Sequence, residues 1–107
     1  MNTRIQSEVH KLGSGLEIPP GEGREFVVSG QRVVIFHTRQ GAFYGTQALC
    51  PHKEGPLVDG LIGGTTLMCP LHTMKFDLIS GKALSGDCGI ETYDVTLDPN
   101  GEILIRM

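Results

Sequence analysis

Two short runs constrain this chain more than any other feature: Cys50-Pro51-His52 and Cys69-Pro70-Leu71-His72, with sixteen residues between His52 and Cys69. Each run offers one thiol and one imidazole to a common neighbourhood. Each cysteine is followed by a proline, whose ring holds φ at about −65° and stiffens the backbone beside the sulfur. Thiolates and neutral imidazoles grouped in this way are metal ligands, so the fold has to bring two loops together. At 107 residues and 11.6 kDa the chain is near the lower end of what one hydrophobic core stabilises comfortably. A metal shared between two loops would serve as a staple.

The pairing of ligand types bears on which metal. Two thiolates and two imidazoles could enclose a single tetrahedral zinc, or the cysteines could hold one iron and the histidines the other in a two-iron cluster. Structural zinc sites usually take like ligands in pairs, as C-x₂₋₄-C and H-x₃₋₅-H. Here each loop supplies one Cys and one His, an arrangement suited to two irons bridged by sulfide. A zinc-binding interaction module is the remote alternative.

The remainder of the chain reads as short strands separated by turns. Fifteen glycines, six prolines and only six aromatic residues are a composition of punctuation, not of helices. Residues 4–11 alternate loosely, as an opening strand would, and 12–23 form a Gly/Pro-rich connection. Residues 25–29 and 32–38 read as a hairpin around Ser29-Gly30-Gln31, and 42–49 as a third strand that delivers the chain to Cys50. Between the ligand pairs, Gly55-Pro56, Asp59-Gly60 and Gly63-Gly64 leave room for a short hairpin of Leu61-Ile62 with 66–68. Residues 74–78 and 82–84 flank a tight turn at Ser80-Gly81, and 85–89 form a small loop containing Cys88. Residues 91–97 and 102–106 pair around Asp98-Pro99-Asn100-Gly101. No segment holds an apolar period of 3.6 residues over three turns.

Charge and hydropathy exclude several functions. The net charge is −3 with a pI near 5.7, and no Lys/Arg block interleaves with aromatics, which argues against nucleic acid. No apolar run approaches the length of a membrane span, and residues 1–11 have no signal-like apolar stretch. Three cysteines make an odd set without an even disulfide framework, so a reducing compartment and a cytoplasmic location are expected. There is no nucleophile–base pair, phosphate loop or open metal position, so this chain alone is not expected to turn over a substrate.

The two ligand runs, together with Phe76-Asp77 and Ser80-Gly81 after the second, resemble the signature of the Rieske [2Fe-2S] superfamily along nearly the whole chain. The resemblance implies an all-β domain over residues 1–107, built of small antiparallel sheets. Two cluster loops, at about 50–57 and 69–76, would lie at one tip. It also implies a [2Fe-2S] cluster held by Cys50, His52, Cys69 and His72. Within the superfamily, Cys50-Pro51-His52-Lys53-Glu54-Gly55-Pro56-Leu57, Cys69-Pro70-Leu71-His72 and Cys88-Gly89-Ile90-Glu91-Thr92-Tyr93 are most similar to the small subunit of assimilatory NAD(P)H nitrite reductase. That similarity implies electron transfer within a complex reducing nitrite to ammonium, whose large subunit carries the nicotinamide, flavin and sirohaem chemistry. A free-standing Rieske ferredoxin, passing electrons from a flavin reductase to an oxygenase, is the alternative.

Other side chains take plainer roles. Cys88 reads as a small buried residue outside the ligand set. His10 and His37 read as surface or interface residues without nearby partners. Lys53, Glu54, Lys75 and Asp77 read as solvated loop charges, a minority of them available to a docking surface. Phe26, Phe36, Phe43, Tyr44 and Tyr93 read as core or half-buried strand residues.

Departures from the high-potential members of the superfamily are informative. Gly55 and Leu71 stand where those proteins carry an extra cysteine in each loop, so no disulfide joins the loops. Met74 and Phe76 stand where they place a serine and a tyrosine hydroxyl. Hydrogen bonds to cluster and ligand sulfurs withdraw electron density and raise the potential. Without them, the midpoint potential is expected near the lower end of the Rieske range, roughly −150 mV or somewhat above. Protein-film voltammetry checks this, and a midpoint well above zero contradicts it.

Overall fold

The computed structural model describes residues 8–51, 55–70, 74–84 and 89–107. Nine strands account for half of them: β1 (Val9–Ser14), β2 (Glu22–Val28), β3 (Gln31–His37), β4 (Phe43–Gln47), β5 (Leu61–Gly63), β6 (Thr66–Met68), β7 (Lys75–Asp77), β8 (Thr92–Leu97) and β9 (Glu102–Arg106). Every pairing is antiparallel. One sheet runs β1-β9-β8-β4-β3-β2 and a smaller one β5-β6-β7. The all-β expectation is met. Cys50 and Cys69 both follow closely on strands of this scaffold, β4 in the large sheet and β6 in the small one.

Strand β3 explains how the two sheets share one body. Val33, Val34, Ile35 and Phe36 are all fully buried, which a strand achieves only when both its faces are covered. Val33 and Ile35 join Ile18, Val28, Ile103 and Ile105 in one cluster. Val34 and Phe36, on the opposite face by the two-residue period, join Leu57, Leu67, Phe76, Leu78, Ile90, Cys50 and Cys69 in the other. The first cluster is the base of the molecule, and the second is the seat of the candidate site.

The β2–β3 hairpin forms as its sequence suggests. Val28 pairs with Gln31, and the two intervening residues, Ser29 and Gly30, both have positive φ, +52° and +80°. That is the signature of the two-residue turn whose twist matches its flanking strands. Gly23 on β2 has a different purpose. A Cβ built there would stand 2.6 Å from the Phe36 ring. The glycine therefore lets Phe36 lie against the backbone of β2.

Some elements differ from their sequence reading. The first strand extends through Ser14, beyond Lys11, because a register shift between Lys11 and Ser14 absorbs Gly13 at φ +102°. Residues 4–7 of its expected start lie outside the described residues. A short 3₁₀ turn, Leu57–Asp59, was not anticipated; it buries Leu57 and lies against β2 and β3. The arm 82–84 is not a strand but makes one isolated bridge, Phe76 with Ala83.

Gly23→Ala is expected to destabilise the fold by about 1–3 kcal/mol through overpacking against Phe36. Urea denaturation checks this, and an unchanged midpoint contradicts the packing described.

Candidate metal centre

The two loops are closed in the same way. The Cys50 N–H donates to the Gly55 carbonyl at 2.8 Å, and the Cys69 N–H donates to the Met74 carbonyl at 2.9 Å. In each case the bond spans five residues, and the intervening four begin with an exposed proline, Pro51 or Pro70. Behind the first closure, Leu49 bridges Pro56, and the Leu57 N–H donates to the Ala48 carbonyl at 2.8 Å. Behind the second, Met68 pairs with Lys75. Each cysteine therefore sits at the last rung of a short antiparallel ladder, the first clamped to the 3₁₀ turn and the second within the small sheet.

Both cysteine side chains are buried, at 0% and 2% exposure, within the same apolar cluster, and neither is in a disulfide. The fold thus brings together the two thiols that lie nineteen positions apart in sequence. His52 and His72 lie outside the described residues, as do Lys53, Glu54, Leu71 and Cys88. Among the described residues no three His, Cys, Asp or Glu side chains gather in a metal-ligating group.

The residues around the thiols fit a sulfur-rich inorganic group. Leu57, Leu67, Phe76 and Leu78 exclude water from the cysteines, and Met74 packs half-buried against the same cluster. Phe76, fully buried, contributes a hydrocarbon ring and no hydroxyl to the cluster that holds Cys50 and Cys69. The turn after β7 is tied back to this wall: the Ile90 N–H donates to the Gly81 carbonyl at 2.8 Å, which draws Ile90 into the cluster.

Residues 8–93 match the family model described as the Rieske [2Fe-2S] domain. The chain belongs to the Rieske [2Fe-2S] family. Its function class is accordingly electron transfer, and its cofactor is a Rieske-type [2Fe-2S] cluster. The protein is 32% identical over 93 residues to the ferredoxin component of the naphthalene 1,2-dioxygenase/salicylate 5-hydroxylase systems of a Ralstonia species, covering 85% of this chain and 88% of that one. The ferredoxin of carbazole 1,9a-dioxygenase from Nocardioides aromaticivorans IC177 superimposes with a TM-score of 0.80 at 28% identity, covering 91% of this chain and 95% of that one. A Mycobacterium tuberculosis protein described as an NADH-dependent nitrite reductase small subunit superimposes with a TM-score of 0.90 at 17% identity, covering 96% and 97%. That last likeness is one of fold.

Several side chains of this Rieske protein have partners that their sequence context did not suggest. His37 is tied by Nδ1 to the Ile18 carbonyl at 2.7 Å and stacks on Phe43, with ring centroids 4.1 Å apart. His10 lies 3.7 Å from Glu8. Asp77 is not a merely solvated charge. Its carboxylate accepts from the Ser80 hydroxyl at 2.8 Å and the Ile79 N–H at 3.3 Å, and so shapes the turn that carries Gly81 to Ile90. Gln47, which no sequence pattern singled out, donates from its side chain to the Leu49 carbonyl and accepts from the Glu91 N–H. A polar residue three positions before Cys50 was the only available signal.

The Ser80 hydroxyl, then the Ile79 N–H, hold the Asp77 carboxyl below the usual aspartate range. A carboxyl whose folded value is depressed contributes stability that is present above its unfolded value, near 3.8, and lost as pH falls through the lowered folded value. Comparing wild type with Asp77→Asn by denaturation across pH checks this. The wild-type advantage is expected to be constant near neutrality and to shrink only in acid below about pH 4; an advantage that grows in acid contradicts the assignment.

Proposed function

We propose that this Rieske protein is a free-standing one-electron carrier, holding its cluster through Cys50, His52, Cys69 and His72 and delivering electrons from a flavin reductase to an oxygenase. The observation that carries the acceptor is its likeness in sequence to dioxygenase-system ferredoxins, which match this chain over most of the length of both partners. The four ligands rest on the Rieske motif and on the joint burial of Cys50 and Cys69.

The bound cluster supplies reversible storage of a single electron. The chain's own residues make that exchange inexpensive in reorganisation. Pro51 and Pro70 stiffen the loops, matched backbone bonds close them, and the apolar wall of Leu57, Leu67, Phe76 and Leu78 keeps water from the thiolate sulfurs. By the family resemblance, the thiolates hold one iron and the imidazoles the other. His52 and His72 are then the port through which the electron passes to a partner. Lys75, exposed on β7 directly after the second loop, is placed to contribute to that contact. The whole chain, 1–107, acts as one domain with its cluster loops at about 50–57 and 69–76. A cytoplasmic setting would keep Cys50 and Cys69 reduced until the cluster is built. No described helix is long and apolar enough to cross a membrane.

A second reading, the small subunit of an NAD(P)H nitrite reductase, is favoured by a specific observation. Cys88-Gly89-Ile90-Glu91-Thr92-Tyr93 resembles that subunit, and the sequence 85–89 lacks the proline common at this point in ferredoxin-type members. There the partner would be the large subunit, and nitrite reduction to ammonium the overall reaction.

Stopped-flow mixing of the dithionite-reduced protein with a ring-hydroxylating Rieske oxygenase from the same source separates the two. Reoxidation within a single turnover, with hydroxylated product, is expected. No transfer to the oxygenase, coupled with loss of growth on nitrite as sole nitrogen source in a deletion strain, overturns the first reading in favour of the second.

A further inference from the structure

At the end of β4 the regular ladder with β8 opens through a single side chain. Gly45 pairs with Tyr93 and Thr46 with Thr92, and the Gln47 N–H still donates to the Glu91 carbonyl at 3.1 Å. A continuing antiparallel ladder would return the Glu91 N–H to the Gln47 carbonyl. Instead, the Glu91 N–H donates to the side-chain Oε1 of Gln47 at 2.7 Å, and the Gln47 carbonyl accepts from the buried Thr46 hydroxyl at 2.8 Å. The other end of the same amide, Nε2, donates to the Leu49 carbonyl at 2.7 Å.

Each grip falls next to a residue of the thiol-bearing cluster. Leu49 precedes Cys50, and the peptide between them is held at both ends: its carbonyl by Gln47 and its N–H by the Gly55 carbonyl. Glu91 follows Ile90, whose side chain is buried in the same cluster as Cys50 and Cys69. One half-buried amide thus fixes the approach to the first cysteine and the position of Ile90 beside it. An alkyl side chain of the same length would leave the Leu49 carbonyl and the Glu91 N–H without these partners.

We infer that Gln47 is a positioning residue for the cluster: its amide sets the orientation of the Leu49–Cys50 peptide, and with it the placement of the Cys50 sulfur, while holding Ile90 as a water-excluding cover. This rests on Cys50 being a cluster ligand. Groups that orient a ligand without touching the metal commonly change its retention by one to two orders of magnitude.

The experiment uses the holoprotein and two variants. Gln47→Glu keeps an acceptor for the Glu91 N–H but loses the donor to the Leu49 carbonyl; Gln47→Ala loses both. The readouts are the EPR g-values after dithionite reduction and the rate of absorbance bleaching in the presence of an iron chelator. Both variants are expected to shift the g-values and to lose the cluster about tenfold faster. Ile103→Val, in the opposite core cluster, serves as a control for general destabilisation and is expected to leave the spectrum unchanged. Wild-type g-values and wild-type retention in Gln47→Glu overturn the inference, as does an Ile103→Val control that reproduces the same shifts at equal thermal stability. Should Gln47→Ala not fold, Gln47→Glu decides it. Cys50→Ser tests the underlying ligand assignment separately: an unchanged cluster spectrum there removes Cys50 from the ligand set, whatever Gln47 does.

Discussion

Burial of β3 on both faces is the constraint from which the rest of this structure follows. Val33 and Ile35 commit one face to the base, against Ile103 and Ile105, while Val34 and Phe36 commit the other to the thiol-bearing cluster. The small sheet has only nine residues in strands and cannot bury a face by itself. It holds its shape because Leu67, Phe76 and Leu78 pack in the cluster that β3 anchors. The cysteines lie in that same cluster, so their placement depends on long-range packing as much as on their own loops.

Much of this was legible in the residues. The Ser29-Gly30 turn, the alternation of 91–97 and the turn at Asp98–Gly101 are local signals, and local signals survive tertiary context. The Asp98 carboxylate accepts the N–H groups of Asn100 and Glu102, at 2.8 and 2.9 Å, which is the chemistry that an Asp-Pro-Asn-Gly turn announces. The hairpin of Leu61–Gly63 with Thr66–Met68 was readable because glycines break the chain on both sides. What could not be read depended on distant partners. The strand expected over 82–84 reduces to one bridge, Phe76 with Ala83, flanked by the Asp77 N–H donating to the Lys82 carbonyl and the Leu84 N–H donating to the Lys75 carbonyl, while the Gly81 carbonyl next to it accepts from Ile90, nine residues on. His37 looked unpartnered because Ile18 and Phe43 reach it only through the fold. Gln47 was invisible for the same reason.

The candidate site divides in the same manner. The proposed ligands were read from two short patterns, Cys-x-His and Cys-x-x-His, since mixed Cys/His pairs beside prolines admit few chemistries. That Cys50 and Cys69 share one buried cluster, and that their loops close by equivalent five-residue bonds, belongs to the fold. The acceptor protein is a different matter. It depends on surface complementarity, which neither the ligand spacing nor the core encodes; the family match gives electron transfer, and the likeness to a nitrite reductase small subunit is one of fold.

The central claim is that two mixed loops hold a two-iron cluster. Iron and acid-labile sulfide analysis of the anaerobically purified protein, joined to EPR after reduction, tests it most directly. The account predicts about two irons and two sulfides per chain and a reduced-state signal of low average g. One equivalent of zinc, no labile sulfide and a silent spectrum would contradict it.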